Sequence, residues 1–181
     1  MAKRALFVPW LAVAIVVLAL AVPAGRASLR QIAYDLGFRR PAAPVHVGER
    51  LPALALADLS GAQVTLGADF PRGVVVYNVF ASWCPPCNAE LPDIKRAAVS
   101  LSRSGVRFVG IDQGESATQV GAFAARHDLR YPMLLDSSGK TTSALGARVI
   151  PETLIVRDGI VKSIIVGPTT ASALSHAVED V

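Results

Sequence analysis

Both cysteines of this 181-residue chain fall in one stretch, FASWCPPCNAELP at 80–92, as Cys84 and Cys87. Two thiols three positions apart could form a staple, half a metal site, a haem tether or a redox pair. A structural disulfide closing so short a loop removes little chain entropy and stabilises weakly. A zinc site needs about four ligands, and the only nitrogen donors are His46, His127 and His176, none in a paired motif. Covalent haem attachment requires a histidine directly after the second cysteine, where this chain has Asn88. The redox reading fits the local physics. GVVVYNVF (73–80) is a β-branched apolar run that suits a strand buried on both faces. Pro85 disfavours helical geometry in the residue before it and suits the first position of a helix, which makes Cys84 the N-cap. An N-cap side chain accepts from the second or third helical N–H. The second is Pro86, which has none, so the Cys87 N–H is left to meet the Cys84 sulfur. That donor and the positive end of the helix dipole favour a Cys84 thiolate. Cys87, one turn on, lies on the same face. Cys84 is expected to be the exposed attacking thiol and Cys87 the resolving one.

The elements that position this pair follow from pattern. Residues 85–105 read as a helix ending at Gly105, and VRFVGID (106–112) as a second buried strand. SATQVGAFAARHDL (116–129) is helical with Ser116 as a cap, and His127 falls on its surface. YPMLLD (131–136) precedes a turn at DSSGK (136–140). TLIVRDGIVKSIIV (153–166) is two strands around Asp158-Gly159, a strong hairpin signal. A closing helix is capped by Thr169 or Thr170. Upstream, ALALADLSGAQVTL (53–66) reads as two short strands around Ser60-Gly61. The order gives an α/β fold, a central mixed sheet flanked by helices.

Ala5 to Gly25 carries no charge and would span roughly 30 Å as a helix, the thickness of a bilayer core. It is longer than the h-region of a cleaved signal peptide, so residues 1–27 are expected to be a retained signal anchor, a transmembrane helix. Lys3 and Arg4 keep the N-terminus in the cytoplasm and place the remainder outside. Residues 28–46, with Pro41 and Pro44, form a spacer, and 47–181 the globular domain. The formal net charge is +4, of which residues 1–27 supply three positive charges and no acid. With no basic run and no stacked aromatic pattern, nucleic acid is excluded as a partner.

NVFASWCPPCNAELP (78–92) resembles the active-site segment of membrane-tethered, thioredoxin-like thiol–disulfide oxidoreductases of the TlpA/ResA type, AhpC/TSA-redoxin-like proteins that serve outside the bacterial cytoplasm. VGERLPALALADLSGAQVTL (47–66) is similar to their opening hairpin, and FAARHDLRYPMLLDSSGKTTSALGARVIPETLIVRDG (123–159) to their inserted segment and proline strand. The resemblance implies a thioredoxin-like fold and reduction of cysteines in exported proteins such as apocytochrome c, on a bacterial cell membrane, with no cofactor and no metal. A reductant in an oxidising compartment needs electrons brought across the membrane, so a membrane thiol-relay partner is expected as electron donor. The resemblance implies a cis bond at Pro151, with Ile150 offering its backbone to a substrate peptide, and substrate contacts at Trp83, Pro85 and Pro86 as well. Glu90 matches a glutamate placed near the thiols in that family. Its alternative is an acid that merely favours the dipole in a first helical turn. Glu152, beside Pro151, is a weaker candidate. Asn78 departs from the thioredoxins proper, which carry a proton-accepting Asp there.

Two rivals remain. A peroxidase of the peroxiredoxin type shares the fold but carries a threonine three positions before its attacking cysteine, where this chain has Ala81. A copper metallochaperone would use the soft dithiol, yet Met133 is the only methionine after Met1.

Overall fold

The computed structural model describes residues 44–181, so the anchor expected at 1–27 and most of the spacer at 28–46 lie outside the described residues. At the middle of the fold is β3 (Val74–Phe80), all seven of whose residues are buried. Successive side chains of a strand point to opposite faces, and β3 divides the core accordingly. Val75, Tyr77 and Val79 pack with Val109, Ile111, Leu134 and Leu154 on one face. Val74 and Val76 pack on the other with Ile94, Ala97, Leu101 and Leu174.

β3 pairs in parallel with β4 (Arg107–Gln113), and β4 in parallel with β5 (Met133–Asp136). On its other side β3 meets β6 (Glu152–Arg157) antiparallel, followed by β7 (Ile160–Val166). The opening hairpin, β1 (Ala55–Asp58) and β2 (Gln63–Thr65), adds antiparallel to β5. The seven strands therefore lie in the order β2-β1-β5-β4-β3-β6-β7. The mixed sheet, both strand-pair turns and the buried strands agree with the sequence pattern. Asp158 and Gly159 both adopt positive φ, 52° and 76°, as a two-residue hairpin turn of this hand requires.

Among the described residues, four helices complete the fold. α1 (Pro85–Ser102) and α4 (Ala171–Glu179) cover the Val74/Val76 face through Ile94, Ala97, Leu101, Leu174 and Val178. α2 (Ala117–His127) begins with a capping box, Ser116 with Gln119, and closes over Phe80, Cys84 and Cys87 with Val120, Phe123 and Ala124. α4 is capped by Thr170, whose hydroxyl accepts from the Ala173 N–H at 3.2 Å. α3 (Lys140–Leu145) begins where the sequence shows only a turn. Its N-cap is Gly139, which has no side chain to mark a helix start. The capping acceptor comes instead from Asp136, whose Oδ2 lies 2.7 Å from the Thr142 N–H.

Gly110 on β4 faces the cysteine side. A Cβ there would lie 2.5 Å from the Met133 sulfur and 3.1 Å from the Phe80 ring. The absence of a side chain is what lets Phe80 and Met133 pack together beneath the cysteines.

Candidate active site

β3 ends at Phe80, and three residues carry the chain over the sheet edge to Cys84. Cys84 is the N-cap of α1, with extended backbone angles of −84° and 110°, and Pro85 and Pro86 occupy the first two helical positions. The Cys87 N–H donates to the Cys84 sulfur at 3.2 Å. The N-cap arrangement required by the two prolines is thus formed. Cys84 and Cys87 are joined as a disulfide.

The expectation that Cys84 is the exposed thiol is overturned. Cys84 is 3% exposed and Cys87 4%. Cys84 is covered because Ile150, from the segment before β6, packs against the cysteine cluster, and the Ile150 carbonyl oxygen lies 3.7 Å from the Cys84 sulfur. Burial does not separate the two cysteines. Their hydrogen bonding does: only Cys84 receives the helix-start N–H.

Several apolar side chains stand exposed beside the disulfide. Trp83 is 63% exposed and Val149 61%, and Pro85 and Pro86 are exposed as well. Ile150 is half-buried, Pro151 is buried, and the bond between them is cis. Trp83, Pro85, Pro86, Ile150 and Pro151 therefore do surround one disulfide, though 66 positions separate Cys84 from Ile150.

Glu90 is buried on α1, past its first turn. The reading of Glu90 as an acid that serves the dipole of a first turn fails on that placement. Its Oε1 accepts from the Asn78 amide at 3.0 Å and its Oε2 from the Thr169 N–H at 2.9 Å. Burial raises the Glu90 carboxyl above its ordinary value, against the opposing pull of those two donors, and nearby Asp93 adds to the rise. Asn78 also donates to the Thr153 hydroxyl at 3.1 Å, so both hydrogens of its amide are used. The buried acid of this site comes from the helix, and the strand supplies its donor.

Glu152, the first residue of β6, is also buried, and its Oε1 has no hydrogen-bond partner. Burial alone pushes its carboxyl up. His127 is half-buried and packs against Phe123, with ring centroids 4.6 Å apart and planes tilted by 47°. Two further residues shape the cysteine loop without any motif to announce them. The Asn88 amide donates to the carbonyls of Ser82 and Cys84 at 2.9 and 3.1 Å. The Glu115 carboxylate accepts from the Ser82 N–H and hydroxyl at 2.6 and 2.5 Å. An amide one turn into a helix and an acid 33 positions away are visible as loop anchors only once the chain is folded.

A strand, an N-capping cysteine, a second thiol one turn on and a facing proline segment constitute a dithiol centre. The family model for redoxins matches residues 46–181. The chain belongs to the redoxin family. This redoxin is 30% identical over 138 residues to the thiol-disulfide oxidoreductase ResA of Geobacillus thermodenitrificans, an alignment covering 76% of this chain and 79% of that protein. Among solved structures, a secreted Mycobacterium tuberculosis disulfide oxidoreductase homologous to E. coli DsbE superposes with a TM-score of 0.63 at 26% identity, covering 71% of this chain and 96% of the other. StoA from Bacillus subtilis, at 23% identity and a TM-score of 0.58 over 70% of this chain and 98% of its own, shares the fold. The fold is thioredoxin-like, and this redoxin is a thiol–disulfide oxidoreductase whose redox centre is the Cys84–Cys87 pair. Ala81, at the position where a peroxidase would need a threonine, is fully buried and presents only its carbonyl, which accepts from the Cys84 N–H at 3.2 Å.

Proposed function

We propose that this redoxin is held outside the bacterial cytoplasm by its apolar N-terminal segment and reduces disulfides in exported proteins such as apocytochrome c. The observation that carries the dithiol chemistry, and Cys84 as its attacking thiol, is the Cys87 N–H donating to the Cys84 sulfur at a helix N-terminus. That donor and the helix dipole stabilise a thiolate on Cys84 once the pair is reduced. Trp83, Pro85, Pro86 and Ile150 form the apolar surface on which a substrate peptide lies, with Pro151 fixing the Ile150 backbone beside the disulfide.

The Cys84 thiolate attacks one sulfur of the substrate disulfide and the other substrate sulfur leaves as a thiolate, giving a mixed disulfide. Cys87 then loses its proton, with Glu90 as the acceptor, and attacks the Cys84 sulfur. The substrate's remaining sulfur leaves as a thiolate, and the Cys84–Cys87 disulfide forms. Two electrons have moved to the substrate. An oxidising compartment does not return them, so a membrane thiol relay must re-reduce the pair.

The deciding measurement is the reduction potential of the Cys84–Cys87 couple in the full chain. A value near or below about −270 mV, that of thioredoxin, marks a reductant. A value close to about −120 mV, that of a strong oxidant, would reverse the direction of transfer.

A further inference from the structure

Asp112 and Glu115 lie on the opposite side of the Cys84 loop from Glu90, and the exchange steps above leave them unused. Asp112, at the end of β4, is 0% exposed. Its Oδ2 accepts from the Glu115 N–H at 2.9 Å, whereas its Oδ1 is buried with no N–H or O–H donor. The Glu115 carboxyl is the acid next to it, three positions on, and acts on the Asp112 side chain. Two carboxylates cannot hydrogen-bond, since each is acceptor-only when ionised. The orphaned oxygen has no donor to accept from, so a proton on it, with the neighbouring Glu115 carboxylate as acceptor, would give it a partner. Glu115 then faces Ser82 as a carboxylate and receives both the Ser82 N–H and hydroxyl. Ser82 stands two residues before Cys84, and its carbonyl is held from the other side by Asn88.

We propose that Glu115 is a positioning residue for the Cys84 loop, and that a single proton shared between Asp112 and Glu115 sets how firmly it holds Ser82. The inference rests on Cys84–Cys87 being the redox pair, and on no particular substrate. Burial, the bond to Glu115 and the charges of Glu115 and Asp136 together raise the Asp112 carboxyl to about 7. Glu115 moves the opposite way: burial would raise it, but the bonds from Ser82 and Asp112 outweigh burial and leave it lowered. Below neutrality the pair carries one charge and Ser82 is clamped. Above neutrality two negative charges share a buried site where, among the described residues, no cation acts on Asp112 and Asp136 on β5 adds a third acid. At the Glu115 end a groove of about 510 Å³ is lined by Asn88 of α1 and by Gln119, Phe123, Arg126 and His127 of α2. A displaced Glu115 carboxylate has room there and the Arg126 charge to move toward, and Ser82 is released as it goes.

Trp83, between Ser82 and Cys84, reports this loop, and its emission in the oxidised protein is free of thiol titration. The only other tryptophan is Trp10, so the experiment uses the full oxidised chain carrying Trp10→Phe, with fluorescence followed from pH 5 to 9. A transition centred near pH 7 is expected. It persists when His127→Gln is added, and it vanishes with Asp112→Asn, because asparagine donates to Glu115 and accepts from its N–H at every pH. Ser82→Ala, which removes one of the two clamping bonds and leaves both acids in place, is expected to shrink its amplitude at least twofold. In the reduced protein at pH 6, Glu115→Gln is expected to slow alkylation of Cys84 by iodoacetamide about fivefold, while Cys84 in the Asp112→Asn variant keeps the wild-type rate there; the loss is on the scale of one ordinary hydrogen bond. A transition that survives Asp112→Asn, that is abolished by His127→Gln, or whose amplitude Ser82→Ala leaves unchanged would overturn the proposal. None of these outcomes depends on whether the enzyme reduces or oxidises its substrate.

Discussion

The two sides of the disulfide are built differently. On the helix side, from β3 into α1, the polar groups around the thiols are partnered within the protein. The Cys84 sulfur receives the Cys87 N–H, the carbonyls of Ser82 and Cys84 receive the Asn88 amide, and both Glu90 oxygens have donors. On the proline side, from Val149 into β6, Val149 is exposed, the Ile150 carbonyl faces the Cys84 sulfur, and Glu152 buries an oxygen with no partner. The helix side is a finished electrostatic environment that sets which thiol ionises. The proline side leaves apolar side chains exposed and one buried carboxyl oxygen without a partner. The contrast suits the proposed division of labour, in which fixed dipoles on one wall tune the chemistry and the apolar surface on the other would receive a peptide.

The largest effect expected concerns the thiols themselves. If the helix-side donor selects Cys84 as attacker, Cys87→Ser leaves a mixed disulfide on Cys84 that nothing resolves, and trapped complexes accumulate. Cys84→Ser traps little, since Cys87 receives no such N–H. Non-reducing gels of both variants expressed with their native partners read the comparison, and more trapping by Cys84→Ser would mean that the helix start does not select the attacker.

Glu90→Gln tests the helix side at the next level. Each Glu90 oxygen accepts one donor. A glutamine keeps one acceptor and turns an NH2 toward the other donor, which costs about 1–3 kcal/mol in a buried site. Exchange should also slow on the order of 10²-fold if Glu90 takes the Cys87 proton. Thermal melts and thiol-exchange kinetics on the same samples separate the two roles. A lower melting temperature with unchanged exchange would leave Glu90 structural.

Glu152→Gln is expected to have the smallest effect, and one of opposite sign. Burial holds the Glu152 carboxyl above its ordinary 4.5, so the folded state disfavours the charge. For such a group the stabilising contribution is complete below the ordinary value and is lost as pH rises through the folded pKa. Glutamine cannot ionise. The variant should therefore match the wild type at pH 4, within about 0.5 kcal/mol, and melt at a higher temperature than the wild type at pH 8. A variant less stable at pH 8 would mean that Glu152 has a partner that favours its charge, and the contrast between the two walls would lose half its basis.

What the sequence determined by itself was local. The Cys84 N-cap, the Cys87 donor, the Ser116 cap, a threonine cap at 169 or 170, the Asp158-Gly159 turn and the doubly buried β3 each follow from residues within a few positions of one another, because prolines, capping side chains and apolar runs restrict the backbone over one turn or one strand. α3 was hidden for the same reason inverted: its cap is Asp136, outside the position where a capping residue is sought. The helix side of the site was therefore legible in outline, while the roles of its individual atoms were not. Asn78 looked like a missing acid until β3 placed its amide against Glu90, and Cys84 looked exposed until Ile150 was laid over it. Only the tertiary structure decided that Ile150 covers Cys84, that Thr169 and Asn78 grip Glu90, and that Asp112 and Glu115 stand behind Ser82. Those contacts join segments 12 to 79 positions apart. Burial, and the pKa shifts that come with it, are properties of what the folded chain stacks around a group, and local sequence carries no record of them.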